Sequence, residues 1–288
     1  MKHMKLKKNL LNRSRGGNFL VYLLLVLAGV FMALPLVYAI ASSLKPFEEI
    51  FLFPPKLYVI NPTLENFESL FTLSQDSEVP FTRYLFNSLF IAVASTVLQI
   101  IIASMAAYPL AKNDFPGKNA IFAVVVASLL FVSQVTSVPQ YIIMAKMRMI
   151  NSYWALILPA LGSSMGLFLM KQFMEQIPIS LIESARLDGA SEFRIVFSLV
   201  FPNVKPAWLT LAIFTFQAVW NQTGTSFIFD ENLKLLPTAL NQITASNAMA
   251  RMGVGMAATV ILMLPPIVFF IISQSNVVKT MAFAGIKE

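Results

Sequence analysis

Six long stretches without Asp, Glu, Lys or Arg constrain the fold more than any other feature of this 288-residue chain. Each is long enough for a bilayer-spanning helix, which needs about 20 mostly apolar residues. None shows the alternation, over about ten residues per strand, that is typical of a transmembrane β-barrel. We therefore predict an all-α polytopic membrane protein with six transmembrane helices. The stretches cover residues 16–44, 84–111, 119–145, 149–170, 206–229 and 252–278.

The placement of charge predicts how these helices cross the bilayer. If the N-terminus lies inside and six spans alternate, the inside segments hold 14 of the 21 basic residues and 6 of the 14 acidic ones. This bias follows the positive-inside rule, so we expect both termini in the cytoplasm. We expect the basic N-terminal tail to lie against anionic lipid and not to bind nucleic acid. The resulting units are a cytoplasmic N-terminal tail (1–18), a transmembrane domain (19–278) that contains a cytoplasmic loop (171–205), and a cytoplasmic C-terminal tail (279–288).

The absence of certain residues and motifs argues against several classes of enzyme and transporter. It has no cysteine and a single histidine, His3, so a thiolate or histidine metal site and a Ser-His-Asp hydrolase are excluded. It has no G-x-x-x-x-G-K-[ST] motif, so it cannot cradle ATP itself. The six stretches hold no ionisable residue, which argues against a proton-coupled transporter. A sodium-coupled transporter that uses carbonyls and hydroxyls stays open.

The loop 171–205 interrupts the apolar stretches with the polar segment "ESARLDGASEF". Ser180 and Glu183 have capping-box spacing, which predicts a helix that starts near Leu181. Gly189 can supply the left-handed residue that ends this helix, and a second helix can run from Ser191 to Pro202. Two interpretations follow: a capped amphipathic connector between spans, or a surface on which a cytoplasmic partner docks.

The pattern E-S-A-x-x-x-G, followed by a hydrophobic segment and "FP", resembles the EAA loop of bacterial ABC importer permeases. The stretches "SLKPFEEIF", "YPLAKNDFPGK", "RLDGASEFRIVFSLVFPNVKPA" and "AGIKE" also resemble the MalG-type permeases of carbohydrate importers. In that family the loop forms coupling helices that sit in a cleft of the ATPase subunit. The resemblance implies a type I ABC importer permease fold. It also implies an ATPase-coupling role for Glu183, Ser184, Ala185, Leu187, Asp188, Gly189 and Ala190.

The resemblance further implies a non-catalytic subunit of an ATP-driven importer for a carbohydrate, and more narrowly an oligosaccharide. The chain would form half of the pathway in a bacterial cell membrane, together with a second, homologous permease. Two ATP-binding subunits, or a homodimer of one, would carry ATP and Mg, and this chain would hold no cofactor. A solute-binding protein would deliver the solute from outside. The alternatives are an ion-coupled secondary transporter and an importer permease for a non-sugar solute.

Polar and aromatic side chains within the spans are the candidates for contact with a solute. An alternative interpretation is that they form interhelical hydrogen bonds or lie at the membrane interface. The resemblance implies few contacts on this subunit, because in the maltose system the partner permease holds most of them. The candidates are Asn87, Gln99, Gln134, Gln217, Trp220 and Asn221.

Overall fold

A computed structural model of the chain describes residues 15–75, 79–131, 133–245 and 251–284. In that part of the chain every regular element is helical, which confirms the predicted all-α class. Residues 1–14 and 285–288, which make up much of the two predicted tails, lie outside the described residues. The helices are α1 Arg15–Ser43, α2 Phe47–Ile50, α3 Glu65–Gln75, α4 Phe81–Lys112, α5 Lys118–Ser128, α6 Ser133–Lys146, α7 Trp154–Leu161, α8 Ser164–Glu175, α9 Ile179–Leu187, α10 Glu192–Asn203, α11 Lys205–Trp220, α12 Leu236–Ala245 and α13 Met252–Ala284.

Among the described residues, four helices are long and apolar enough to cross a membrane, so the predicted count of six is not confirmed. α7 and α8 together count as one of these four, since they follow each other with a break at Gly162 and Ser163. The four spans are Gly16–Ser43, Phe81–Lys112, Trp154–Glu175 and Met252–Gln274.

The two remaining apolar stretches form shorter or bent helices. The stretch 119–145 is divided between α5 and α6, and the 11-residue α5 is too short to span a bilayer alone. α11 has 16 residues, and it meets α10 at an angle of 83°. Absence of charge does not guarantee a continuous helix, because Ser and Thr side chains compete for backbone hydrogen bonds. At the break after α5, for example, Ser128 Oγ donates to Val125 O at 2.6 Å.

Two buried hydrophobic clusters lie along α4, and α11 joins both. The first cluster contains Tyr84, Leu156 and Trp220, and the second contains Met170 and Ile182. These side chains are almost fully buried, so the cores hold α4, α8 and α11 as one packed unit. No residue of the most apolar stretch of α1 is buried, although α1 also contacts α13.

The segments between the long helices gather at opposite ends of α4. At its N-terminal end, Asn87 Nδ2 donates to the backbone oxygens of Asn232 (2.8 Å) and Lys234 (2.9 Å). At its C-terminal end, Lys112 Nζ donates to Glu175 O at 3.1 Å. α4 therefore connects the segment 221–236 with the loop 171–205.

Candidate functional site

The first helix of the loop, α9, begins earlier than the capping-box spacing predicts. Pro178 is its N-cap and no side chain caps it, so the predicted Ser180–Glu183 capping box is wrong. Proline fixes φ near the helical value and starts the helix without a side-chain cap. Ser180 lies within the first turn, where its carbonyl oxygen accepts a hydrogen bond from Ser184 Oγ at 2.8 Å. Ile182 is fully buried and anchors the helix to the second core cluster.

Gly189 ends α9, as predicted, with φ at +78°. The amide of Gly189 donates to Arg186 O, and the amide of Ala190 donates to Ala185 O, both at 3.0 Å. This pair of bonds is a Schellman motif, in which glycine supplies the left-handed residue after the helix. Ala185 and Ala190 are half-buried and pack against the second core cluster.

The second helix, α10, begins where the sequence predicts. Ser191 Oγ accepts a hydrogen bond from Arg194 N at 3.4 Å and caps the helix. The middle of the helix, Ile195–Val200, is π-helical, and Ile195 and Val200 are buried. The loop therefore consists of two short helices, joined by a glycine turn and anchored from below.

An ion pair joins these two helices to each other and to α4. Arg186 Nε donates to Glu192 Oε1 at 2.7 Å, and Tyr108 Oη donates to Glu192 Oε2 at 2.8 Å. The hydrogen bond to Glu192 raises the pKa of Arg186 above its ordinary value. An Arg186 NH2 group lies 3.5 Å from Asn113 Oδ1, next to the end of α4. Both helices of the loop are thus tied to the C-terminal end of α4.

A second set of polar contacts holds the start of the loop. Lys112 Nζ donates to the backbone oxygens of Glu175 and Ile177. Lys171 Nζ lies 2.7 Å from Glu175 Oε1 and 3.8 Å from the ring centre of Phe122. The chain between α8 and α9 is therefore fixed on both sides.

Most of the predicted coupling residues are exposed on one face of the loop. Five of the seven are exposed, and Leu187 is 89% exposed, which is unusual for a leucine in a packed region. Two further features of this surface were not predicted from the sequence: Phe193, which is 64% exposed, and the Arg186–Glu192 pair. Phe193 follows the helix cap by two residues in an otherwise polar stretch, and that position was the available signal. The exposed predicted residues are Glu183, Ser184, Leu187, Asp188 and Gly189.

Three of the predicted pathway residues lie in the interior. Asn87 is fully buried, and its oxygen accepts a hydrogen bond from Tyr153 Oη at 2.7 Å, in addition to its two donated bonds. Gln99 is 1% exposed, and its amide nitrogen donates to Ala160 O at 2.9 Å in the orientation that satisfies both amide atoms. Trp220 is 1% exposed. None of the three is free to contact a solute in this conformation.

Trp220 compensates for a proline in α13. Its indole nitrogen donates to Leu262 O at 2.9 Å. Pro266 stands four residues after Leu262 and has no N–H with which to bond that oxygen. This contact is the interhelical hydrogen bond that the alternative interpretation of Trp220 predicts.

The other predicted pathway residues, Gln134, Gln217 and Asn221, are exposed. Gln217 lines a cavity of about 220 Å³ between α11 and α13. Three aromatic rings share this cavity with it. The rings belong to Phe216, Phe269 and Phe270.

The segment that follows α11 is held by its own polar cluster. Lys234 Nζ and Tyr84 Oη both donate to the Glu231 carboxylate. Burial alone would raise the pKa of Glu231, but these hydrogen bonds outweigh burial and hold the pKa below its ordinary value. Asn151 Oδ1 accepts from the amides of Phe229 (3.0 Å) and Asp230 (2.8 Å). Across the described ranges, no group of three or more His, Cys, Asp or Glu residues could hold a metal ion.

The chain also matches a known protein family. A family model described as "Binding-protein-dependent transport system inner membrane component" matches residues 14–283. Protein LplC of Bacillus subtilis (strain 168) is 30% identical over 302 residues, which cover 96% of this chain and 97% of that protein. A second relative from the same organism is the polygalacturonan/rhamnogalacturonan transport system permease protein YtcP. It is 27% identical over 295 residues, which cover 96% of this chain and 99% of that protein.

A solved structure shares the fold. It is a chain of a bacterial ABC transporter involved in the import of the acidic polysaccharide alginate. The TM-score is 0.75 at 20% sequence identity, and the match covers 91% of this chain and 98% of that one. This similarity confirms the type I ABC importer permease fold that the sequence resemblance implies.

Proposed function

Because this chain belongs to the family of binding-protein-dependent transport system inner membrane components, we propose that its loop 171–205 docks an ATPase subunit and that the importer carries a carbohydrate. Proteins of this family are non-catalytic permease components, and separate subunits hydrolyse ATP. The proposal thus concerns which residues of this chain bind the ATPase and which solute passes.

The exposed surface formed by α9, Gly189 and α10 carries the docking proposal. Leu187 and Phe193 place two large apolar side chains in solvent, while Ile182 and Ile195 bury the opposite face. An exposed apolar surface on a rigid base is typical of a protein contact. A mere connector would bury or omit these side chains, so the surface favours docking over the connector interpretation.

The carbohydrate proposal rests on a relative that aligns over nearly its whole length. YtcP bears a name that concerns polygalacturonan and rhamnogalacturonan. The aromatic cavity beside Gln217 has the mixed apolar and amide lining that suits a sugar ring. The competing proposal is that the importer carries a solute that is not a sugar.

We further propose six membrane crossings with both termini in the cytoplasm. Support comes from the connecting segments, which gather at the two ends of α4 in the pattern that six crossings require. Asn151, which follows α6, binds the segment after α11 near the N-terminal end of α4. The helices α5 and α10 start near the opposite, C-terminal end of α4. The pair α5–α6 and the helix α11 would then supply the two crossings beyond the four long spans.

The partners in this proposal are a second, homologous permease, two ATP-binding subunits and a solute-binding protein outside the membrane. ATP and Mg would be held by the ATPase subunits. The exposed apolar surface of α1 supports a location in the bilayer, where lipid or the second permease covers it.

Co-purification tests this proposal directly. The tagged chain, extracted from its native membrane in detergent, should bring down an ATPase subunit and a second permease. In vesicles that contain the complex, uptake of an oligosaccharide should require ATP and the binding protein, and sn-glycerol 3-phosphate should not compete. Uptake driven by a sodium or proton gradient without an ATPase would overturn the importer assignment, and exclusive uptake of a non-sugar would overturn the carbohydrate assignment.

A further inference from the structure

One carboxylate, that of Glu192, connects three helices. Its Oε1 accepts from Arg186 Nε at 2.7 Å, and its Oε2 accepts from Tyr108 Oη at 2.8 Å. Arg186 lies in α9, Glu192 in α10 and Tyr108 in α4. We call these three residues the α4 latch.

The α4 latch combines a fixed part with exposed parts. Tyr108 is 4% exposed and packs in the second core cluster, so its hydroxyl is held in place. The side chains of Arg186 and Glu192 are 40% and 55% exposed. Exposed ion pairs add little to stability, because water screens the charges and ordering the side chains costs entropy. The main effect of the Arg186–Glu192 pair is therefore on the relative position of α9 and α10 and not on stability.

The turn between the two helices needs such a constraint. No atom lies within 4 Å of the position that a Cβ on Gly189 would occupy, so no packing acts on the glycine itself. Apolar side chains of both helices, including Ile182 and Ile195, share the second core cluster. Among the described residues, the Arg186–Glu192 pair is the side-chain hydrogen bond that bridges α9 and α10. Without the pair, the apolar packing and the Schellman bonds would remain, but no side-chain hydrogen bond would fix the angle between the two helices.

α4 continues from the α4 latch to the other end of the molecule. Its 32 residues span about 48 Å at 1.5 Å per residue. At the far end Asn87 donates to the backbone oxygens of Asn232 and Lys234. Next to it, Ser88 Oγ accepts from the amide of Leu236 at 2.8 Å. Both ends of α4 are therefore hydrogen-bonded to a connecting segment.

We propose that Glu192 is a positioning residue for transport: it makes α9, α10 and α4 move as one body, so that a displacement of the loop reaches the segment 231–236. This inference rests on the proposed function, since it assumes that an ATPase moves the loop. In this proposal α4 carries the displacement to the segment 231–236, and the α4 latch attaches the loop to α4.

The test uses the whole importer complex and two variants, Tyr108→Phe and Glu192→Ala. Single cysteines in place of Phe229, beside the segment 231–236, and Leu57, between α2 and α3, carry spin labels, one pair in each complex, because the native chain has no cysteine. The measurement is the change in the distance between the two labels when ATP and vanadate are added, together with the rate of ATP hydrolysis. Asp114→Asn is the control, since it breaks the exposed Asp114–Lys118 pair (3.2 Å) at the same end of α4 without touching the loop.

We expect both variants to keep the ATPase bound and hydrolysing, while the ratio of shifted to unshifted label distances falls about two- to thirtyfold, the range that a coupling energy of 0.5–2 kcal/mol gives. Asp114→Asn should keep the full change. A full change in both variants would overturn the proposal. Loss of ATPase binding in Glu192→Ala but not in Tyr108→Phe, with a full change in the latter, would also overturn it and place Glu192 in the docking surface. Absence of an ATPase from the unmutated complex would instead overturn the proposed function.

Discussion

At the scale of single residues, Gly189 is the position where backbone geometry matters most. Its φ of +78° lies in the left-handed region, and space around it is open. Gly189→Ala therefore introduces backbone strain of about 1–2 kcal/mol and no steric clash. We expect the variant to insert normally and to bind less ATPase in co-purification.

Gly29→Ala is the matched control, because Gly29 also has open space around it but lies within the helix α1. It should bind as much ATPase as the unmutated chain. Equal binding by the two variants, at the unmutated level, would show that docking does not depend on the Gly189 turn.

A substitution at a second residue, Asn87, distinguishes a structural role of this side chain from contact with the solute. Asn87→Leu removes the amide group that donates to the part-buried backbone oxygens of Asn232 and Lys234, which costs about 1–3 kcal/mol. The midpoint of thermal unfolding in detergent should fall, whereas Gln134→Leu, at an exposed site, should leave it nearly unchanged. An unchanged midpoint with lost uptake in Asn87→Leu would favour solute contact instead.

Residue patterns in the sequence predicted the turn at Gly189 and the helix start at Ser191, because both follow from local backbone chemistry. They left open whether Asn87, Gln99 and Trp220 contact a solute or form hydrogen bonds within the core. Their partners lie tens of residues away in the chain, so no local pattern contains that information. The Glu192–Tyr108 bond was missed for the same reason.

At the scale of elements, the two loop helices present Leu187 and Phe193 to solvent. Leu187→Ser removes an exposed side chain, and Phe193→Ser removes the ring contact with Phe197 (4.6 Å between ring centres), so the fold should tolerate either change. If these side chains enter a cleft of the ATPase, each loss of a central apolar anchor should cost about 2 kcal/mol of binding, or roughly thirtyfold in affinity. Titration of the purified permease complex with ATPase subunit measures this directly.

Leu57→Ser provides the control, because Leu57 is 53% exposed in the segment that would lie on the opposite side of the membrane. It should leave the affinity for the ATPase unchanged. Unchanged affinity in Leu187→Ser and Phe193→Ser as well would favour the connector interpretation of the loop.

Element boundaries were predicted well where charge or glycine marks them and poorly inside apolar stretches. α4 and α13 match their stretches, whereas the stretch 119–145 is divided between α5 and α6. Hydropathy reports whether a segment can enter lipid, but it does not report where the helix breaks. Hydroxyl groups form hydrogen bonds at the breaks near Ser128 and Ser163, such as that between Ser128 Oγ and Ser164 Oγ at 2.5 Å.

At the scale of the whole molecule, the two ends of α4 define two sides. One side gathers Asn151, Phe229 and Asn232, and the other gathers Lys112 and Arg186. The charge bias of the sequence favours the cytoplasm for the second side. A membrane between these sides is the arrangement that would let an ATPase on one face control access from the other.

Cysteine labelling tests this arrangement in intact cells. Cysteines in place of Phe53 and Phe229, which are 93% and 61% exposed, should react with a membrane-impermeant thiol reagent added outside. Cysteines in place of Asp114 and Leu187 should react only after the membrane is opened, because both would face the cytoplasm. All four positions are well exposed, so access to the reagent depends on the side of the membrane and not on burial. Labelling of 114 or 187 in intact cells would reverse the proposed topology and place the docking loop where no cytoplasmic ATPase could reach it.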